Sequence, residues 1–399
     1  MIGISKLYCG SVEPSDALRY GRKSKKLPSH LLQFSKDKKP VVVWNITRRC
    51  NLKCVHCYAH AKDEEFKDEL TTEEGFKLLD DLADFGVPVV LFSGGEPLVR
   101  KDLPLLAEYA VSKGMRAVIS TNGTLITEEK AKQLKSIGLS YVGISLDGMK
   151  NVNDRFRGLN GAFDMALKGI ENCKKAGIKV GLRFTINKHN SQEIPKIFNL
   201  VEDMKIPRIC FYHLVYAGRG SEMIEEDLPH EETRKAVDTI IYRTKKLHDM
   251  GQPTEVLTVD NHADGPYLYL KLKEEDPQRA KDVLELLEMN EGNNSGRGIG
   301  CISWNGDVHA DQFWRHKVFG NIKKTPFSKI WSEPEDELLM KLKNKKKYVK
   351  GRCSECRWLD ICAGNFRVRA EAATGDVWQP DPACYLSDNE IEKISINEN

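Results

Sequence analysis

Three cysteines, Cys50, Cys54 and Cys57, lie in Thr47-Arg-Arg-Cys-Asn-Leu-Lys-Cys-Val-His-Cys-Tyr58, directly after a strand-like run. This C-x3-C-x2-C spacing offers three thiolates, whereas a closed zinc site takes four ligands, commonly from C-x2-C pairs. Three thiolates suit a cuboidal [4Fe–4S] cluster that keeps one iron open to a further molecule. A zinc site or three core cysteines are the plainer alternatives. A second set closes where the first is open. Cys353, Cys356, Cys362 and Cys384 form a C-x2-C-x5-C…C array. Four thiolates complete a [4Fe–4S] cluster without an open iron, or else a structural zinc ribbon. Cys173 and Cys210 stand alone in helix-like and strand-like stretches and read as small core residues. Cys9 stays open to a site role or a packing role.

The chain has 399 residues and a net charge of +3, too mild to identify a partner. That length can bury a large core and hold more than one domain. No apolar run reaches membrane-spanning length, and the N-terminus lacks a signal-peptide layout, so a cytoplasmic protein is expected. In a reducing compartment eleven cysteines argue for metal ligation over disulfides. Residues 1–49 carry eleven Lys and Arg against three acids, among them Arg19, Arg22, Lys23, Lys25, Lys26, Lys36, Lys38 and Lys39. Such a segment could hold a polyanionic substrate or be a solvated basic arm. No nucleic-acid recognition motif accompanies it.

The elements that must position these residues alternate as βα units over 40–215. Val41–Thr47 is a β-branched run suited to a buried parallel strand. A capping box at Thr71 and Glu74 opens a helix with Phe76, Leu79, Leu82 and Phe85 at helical spacing. Further strands are expected over 87–93, 117–121, 141–146, 180–186 and 209–214, with helices between them. Six strands predict an α/β fold, a partial (β/α)6 TIM-like barrel, with chemistry at the C-terminal strand ends. The expected domains are a basic N-terminal segment (1–39), the barrel (40–220), a helical connection (221–300) and a cysteine-rich iron–sulfur domain (301–399).

Polar motifs fall at those strand ends: Ser93-Gly-Gly-Glu-Pro97, Ser120-Thr-Asn-Gly-Thr124, Ser145-Leu-Asp-Gly148 and Asp154-Arg-Phe-Arg-Gly158. With the cysteine loop they resemble the radical S-adenosylmethionine (SAM) superfamily. In that superfamily the open iron chelates SAM, and the cluster reduces its sulfonium to release a 5′-deoxyadenosyl radical. The resemblance implies that Cys50, Cys54 and Cys57 hold this cluster. It further implies that Tyr58 lies near adenine, that Gly94, Gly95 and Glu96 serve the SAM amino group, and that Asn122 and Ser145 lie near the ribose and carboxylate. Arg157 would pair with the methionyl carboxylate or cap a loop.

The C-terminal cysteines resemble the SPASM extension, which in full form holds two auxiliary clusters. Asp311 stands where a cysteine is expected after Gly306, and Phe366 where another would follow Cys362. One auxiliary [4Fe–4S] cluster is therefore expected, on Cys353, Cys356, Cys362 and Cys384, in a reduced, twitch-type domain. Cys301 is read as a remnant of the other, and Asp311 as an unusual iron ligand is the lesser alternative. His213, His309 and His316 could ligate iron or donate a proton, though packing or surface roles are the plainer readings.

Leu7-Tyr-Cys-Gly, Glu13-Pro-Ser-Asp-Ala-Leu-Arg-Tyr20, the cysteine loop through His60, and Asp311-Gln-Phe-Trp…Phe319-Gly-Asn321 resemble the tetrapyrrole branch of the superfamily. That branch includes the 12,18-didecarboxysirohaem deacetylases of the sirohaem-dependent haem pathway and the related haem d1 enzymes, which remove propionates. The resemblance implies an iron tetrapyrrole substrate and a low-potential electron donor such as ferredoxin or flavodoxin. It also implies hydrogen abstraction beside the quaternary carbon that bears the acetate. Bond scission would form a ring double bond and expel a carboxymethyl radical, which an electron and a proton convert to acetate. Two turnovers would give iron-coproporphyrin III. A peptide-modifying SPASM maturase is the alternative of the same architecture.

Overall fold

The computed structural model describes residues 1–11 and 39–392. Most of the basic N-terminal segment, from Arg19 to Lys38, lies outside the described residues; Lys39 holds its Nζ 4.2 Å from the centre of the Phe85 ring.

Eleven strands form one sheet: β1 (Ile2–Gly3), β2 (Val41–Thr47), β3 (Val89–Gly94), β4 (Arg116–Thr121), β5 (Tyr141–Ser145), β6 (Val180–Ile186), β7 (Arg208–His213), β8 (Glu255–Val259), β9 (Ile299–Ile302), β10 (Asp307–His309) and β11 (Gly320–Asn321). Their order is β1-β8-β7-β6-β5-β4-β3-β2-β9-β10-β11. Strands β2 to β8 run parallel in sequence order. β9 adds a parallel strand on the other side of β2, and β1 caps β8 antiparallel. The sheet is open, its edges β1 and β11 unpaired with each other, which makes the partial barrel expected.

Alternation along each strand sorts its side chains between two faces. Val42, Trp44 and Ile46 of β2, Val90 and Phe92 of β3, and Leu182, Phe184 and Ile186 of β6 pack in the main apolar core, with Leu78, Leu79, Leu82, Ile197 and Phe198 of the covering helices. The residues between them point the other way. Val43, Leu91, Ser93, Ser120, Ser145, Arg183 and Thr185 line a central chamber. Val89, Val118 and Tyr141 form one small apolar cluster apart from the main core, and Cys210, Leu257 and Val259 another. Cys210 is thus a packing residue, as is Cys173 in the main core.

The capping box forms as expected: Thr71 Oγ1 accepts from the Glu74 N–H at 3.2 Å, and Glu74 Oε2 accepts from the Thr71 N–H at 2.9 Å. Two findings depart from the expected elements. The stretch 221–300 is helical over His230–Asp249, Asp264–Glu275 and Pro277–Asn290, yet it also contains β8, a seventh strand of the parallel run. All five β8 residues are buried. One short strand between long helices leaves little periodic signal, which is why the run Glu255-Val-Leu-Thr-Val259 reads as connection. Secondly, Asp154-Arg-Phe-Arg157 is the end of the helix Lys150–Arg157, closed by Gly158 at φ +69°.

Candidate functional site

The chamber lies at the C-terminal ends of the parallel strands and has a volume of about 160 Å³. Cys50, Cys54 and Cys57 line it from the loop after β2, with Tyr58, Gly94, Gly95, Asn122, Ser145 and Arg157. One wall therefore brings together all but one of the residues expected to serve SAM and its cluster. Burial pushes the Cys50 thiol well up, with the Glu96 charge adding to it. Burial raises Cys54 as well, against the opposing pull of Arg157. Arg157 Nη1 reaches Cys54 Sγ at 3.7 Å, so a cation already faces a sulfur that iron would hold as thiolate.

Glu96 is the exception. It is fully buried behind the wall, and its carboxylate accepts from Thr121 Oγ1 at 2.7 Å, the Asn122 N–H at 2.8 Å and the Leu98 N–H at 3.0 Å. It ties the loop after β3 to the loop after β4, and what faces the chamber is the Gly94–Gly95 backbone. Burial lifts its carboxyl to about 7 even against those three bonds. The glycines are required by the chain itself: a Cβ on Gly94 would fall 2.2 Å from the Thr47 carbonyl, and one on Gly95 2.2 Å from that of Arg49. The Gly95 and Glu96 N–H groups bond these same carbonyls at 2.8 Å, stitching β3 to the start of the cysteine loop.

Arg157 also pairs with Asp147, which is fully buried, lies 3.4 Å from His56 Nε2 and accepts from the Thr185 N–H at 2.7 Å. The guanidinium is thus anchored on the chain's own carboxylate. Tyr58 sends its hydroxyl to Asn45 Oδ1 at 3.1 Å and Ser93 Oγ at 3.0 Å, and its ring meets Phe313 edge-on at 5.3 Å. Asn45 donates onward to Cys301 Sγ at 3.4 Å.

Asp260, just past β8, is a chamber residue that sequence reading missed. Its backbone is left-handed at φ +67°, and its Oδ2 is buried without a hydrogen-bond partner among the described residues. Burial pushes its carboxyl up to about 7, with Arg369, His213 and the chain's amino group opposing and Asp311 adding. The available signal was its place: it follows a β-branched run as Ser145 does. Arg183, Tyr212 and His213 complete that side. His213 Nε2 meets Asp264 Oδ2 at 2.9 Å, and Asp264 Oδ1 accepts from Tyr385 at 2.6 Å. Tyr385 adjoins Cys384, so this path crosses the wall between the two cysteine sites.

Cys353, Cys356, Cys362 and Cys384 line one small cavity with Ala263, Arg352, Trp358, Asn365, Leu386 and Ile391. Burial raises all four thiols, the environment in which bound iron must displace the protons. Among the described residues no three metal-ligating side chains close on the position of a single ion. Thiols ranged around a cavity fit a multi-iron cluster in both places. Cys301 and Asp311 line neither cavity. Asp311 Oδ1 accepts from the Phe313 and Trp314 N–H groups at 2.9 and 3.2 Å, and buried Lys345 bonds Asn293 Oδ1 at 2.6 Å beside it. Cys9 ends the helix Ile4–Cys9 and lines neither cavity. His309 is internal, between Ser303 Oγ and the Lys317 carbonyl, both at 2.8 Å, and His316 pairs with Glu371.

A parallel open barrel with three cysteines at its mouth, joined to a second cysteine cavity, defines an iron–sulfur enzyme that binds SAM at an open cluster. Residues 44–201 match the Radical SAM superfamily model, and residues 295–357 match SPASM, an iron–sulfur cluster-binding domain. The chain is 71% identical over 394 residues to Fe-coproporphyrin III synthase of Methanosarcina barkeri, covering 98% of this chain and 99% of that one. It is 44% identical to pre-heme d1 synthase of Dinoroseobacter shibae, covering 88% and 87%. The fold is shared with Streptococcus suis SuiB bound to S-adenosylmethionine, at a TM-score of 0.70 and 19% identity, over 88% of this chain and 78% of that one. The chain belongs to the radical SAM superfamily, in the family that holds the M. barkeri synthase. It is a radical SAM enzyme with a SAM-binding [4Fe–4S] cluster and an iron–sulfur SPASM region. No helix among the described residues is long and apolar enough to cross a membrane.

Proposed function

We propose that this enzyme removes two acetate side chains from 12,18-didecarboxysirohaem to give iron-coproporphyrin III, drawing electrons from a ferredoxin or flavodoxin. The observation that carries this reading is the 71% identity to Fe-coproporphyrin III synthase over nearly the whole of both chains. When bound, SAM and its cluster supply a 5′-deoxyadenosyl radical that takes a hydrogen atom from the substrate.

The chain's own residues divide the remaining work. Cys50, Cys54 and Cys57 hold the first cluster, and Cys353, Cys356, Cys362 and Cys384 the second. The Gly94–Gly95 backbone, Asn122, Ser145, Tyr58 and Arg157 hold SAM, while Glu96 braces the two loops behind them. Asp260 holds a proton at its unpartnered Oδ2 below about pH 7, within the chamber where a leaving carboxymethyl group needs one. His213 is fixed by Asp264, and through Tyr385 this side of the wall is tied to Cys384.

The test is anaerobic incubation of the reconstituted protein with SAM, a strong reductant and 12,18-didecarboxysirohaem, with mass spectrometry of the pigment. Loss of two acetates is expected. Loss of propionates would move the enzyme to the haem d1 branch. An unchanged pigment beside accumulating 5′-deoxyadenosine would discard the substrate and leave room for a peptide.

A further inference from the structure

Two guanidinium groups beside the chamber pair with no carboxylate among the described residues. Arg48 leads into the cysteine loop, and Arg315 follows Gln312 and Phe313 of the chamber wall. Both lie over Trp304, their Cζ atoms 5.3 and 4.7 Å from the ring centre, and Arg48 is also 5.1 Å from that of Phe66. The Nε of each is buried without a hydrogen-bond partner among the described residues. Arg315 gives one donor to the Tyr58 carbonyl at 3.2 Å.

The nearby acids are committed elsewhere. Glu69 Oε1 accepts from Thr47 Oγ1 and from Arg48's own backbone N–H at 2.7 and 2.9 Å. Asp68 takes the Trp304 Nε1–H at 3.3 Å, and Asp63 pairs with Arg49 at 2.9 Å. Among the described residues no carboxylate pairs with either guanidinium to offset the cost of holding two like charges against one indole. An anion supplied from outside would offset it.

We propose that Arg48 and Arg315 form a clamp for the carboxylate side chains of the substrate macrocycle beside the part of the chamber wall that Tyr58, Gln312 and Phe313 line. This rests on the tetrapyrrole reading above and adds to it the residues that recognise the substrate's charge. A guanidinium fork matches a carboxylate in two parallel bonds. The shared indole holds both forks by cation–π contact, so less freedom is lost on binding.

The experiment uses the full-length, iron-loaded protein and iron-coproporphyrin III, followed by the absorption change on titration, with the methyl ester of the same porphyrin as control. Arg48→Gln and Arg315→Gln are each expected to weaken binding of the free acid about tenfold, the size of one lost charge-assisted contact. The ester should bind weakly to wild type and no more weakly to the variants. The charge-keeping pair Arg48→Lys and Arg315→Lys should recover much of the affinity, which separates loss of charge from loss of packing. Iron and sulfide content and circular dichroism check that each variant folds. Equal affinity of wild type and both Gln variants for the free acid would overturn the clamp while leaving the substrate reading intact. A wild type that binds no porphyrin at all would overturn both.

Discussion

Around the second cysteine cavity, buried charge is paired. Asp381 Oδ1 meets Arg369 Nε at 2.8 Å, and neither side chain is exposed at all. Burial alone would raise the Asp381 carboxyl, but the Arg369 guanidinium more than cancels it and leaves it below its usual range. Around the central chamber Asp147 pairs with Arg157 in the same way, but two further carboxyls have no charged partner in bonding reach among the described residues. Asp260 has no partner for Oδ2 and sits at about 7; Glu96, also lifted to about 7, has only neutral donors in bonding reach. A region built to hold a closed cluster satisfies its own charges. A region built to receive ligands leaves one buried carboxyl oxygen, that of Asp260, without a partner among the described residues.

The largest test of that contrast exchanges the cysteines. Cys54→Ala should bring 5′-deoxyadenosine formation to background and remove about half of the bound iron, since each four-iron cluster needs its thiolates. Cys356→Ala should also remove about half the iron yet leave SAM cleavage measurable while pigment conversion falls. If both variants lose SAM cleavage alike, the two cavities do not divide the work.

The next test is of the fold. Asp381→Ala strands the Arg369 charge in the interior and should lower the unfolding free energy by about 3–5 kcal/mol, read from the denaturant midpoint. Asp260→Ala at pH 8 should cost far less, because it removes a group that carries no paired charge. Equal losses would mean that Asp260 has a structural partner after all.

What the sequence made legible follows from local pattern. The cysteine loop and the residues after β3, β4 and β5 are short motifs fixed to strand ends, and the alternation of Val42, Trp44 and Ile46 with Val43 and Asn45 defines both faces of β2. Long-range pairing was not legible. That Glu96 turns away from the chamber depends on Thr121 and Asn122, and that Arg157 is anchored depends on Asp147. Asp260 was hidden because β8 carries five residues and no motif. Arg48 and Arg315 meet only because Trp304 lies between distant segments.

A smaller effect should appear in the pH dependence of stability. Folded, Asp260 keeps its proton up to about pH 7, whereas an unfolded Asp releases it near ~3.9. The folded state therefore binds the extra proton, and stability falls as pH rises from about 4 to about 7, by at most roughly 4 kcal/mol. Asp381 has the opposite sign: its stabilisation is present above the unfolded value and is lost as pH falls through its lowered folded value. Asp260→Asn should make the neutral limb of the unfolding curve shallower, with Glu96 keeping the remainder of it, and leave the acid limb in place. A neutral limb unchanged in the variant would show that Asp260 is not the group titrating there.

The smallest expected effect separates a brace from a ligand contact within the chamber itself. Tyr58 places its hydroxyl on Asn45 and Ser93 and lines the cavity with its ring edge-on to Phe313. Tyr58→Phe keeps the ring and removes the hydroxyl, leaving Asn45 Oδ1 without its donor. The expected cost is about 1 kcal/mol of stability, with SAM affinity, measured by equilibrium dialysis, changed less than about threefold. Because Asn45 also donates to Cys301, a loosened Asn45 should make the Cys301 thiol react faster with a thiol probe. A drop in SAM affinity beyond about tenfold would place the hydroxyl on SAM instead, and the chamber would then satisfy its polar groups through the ligand here as well as at Asp260.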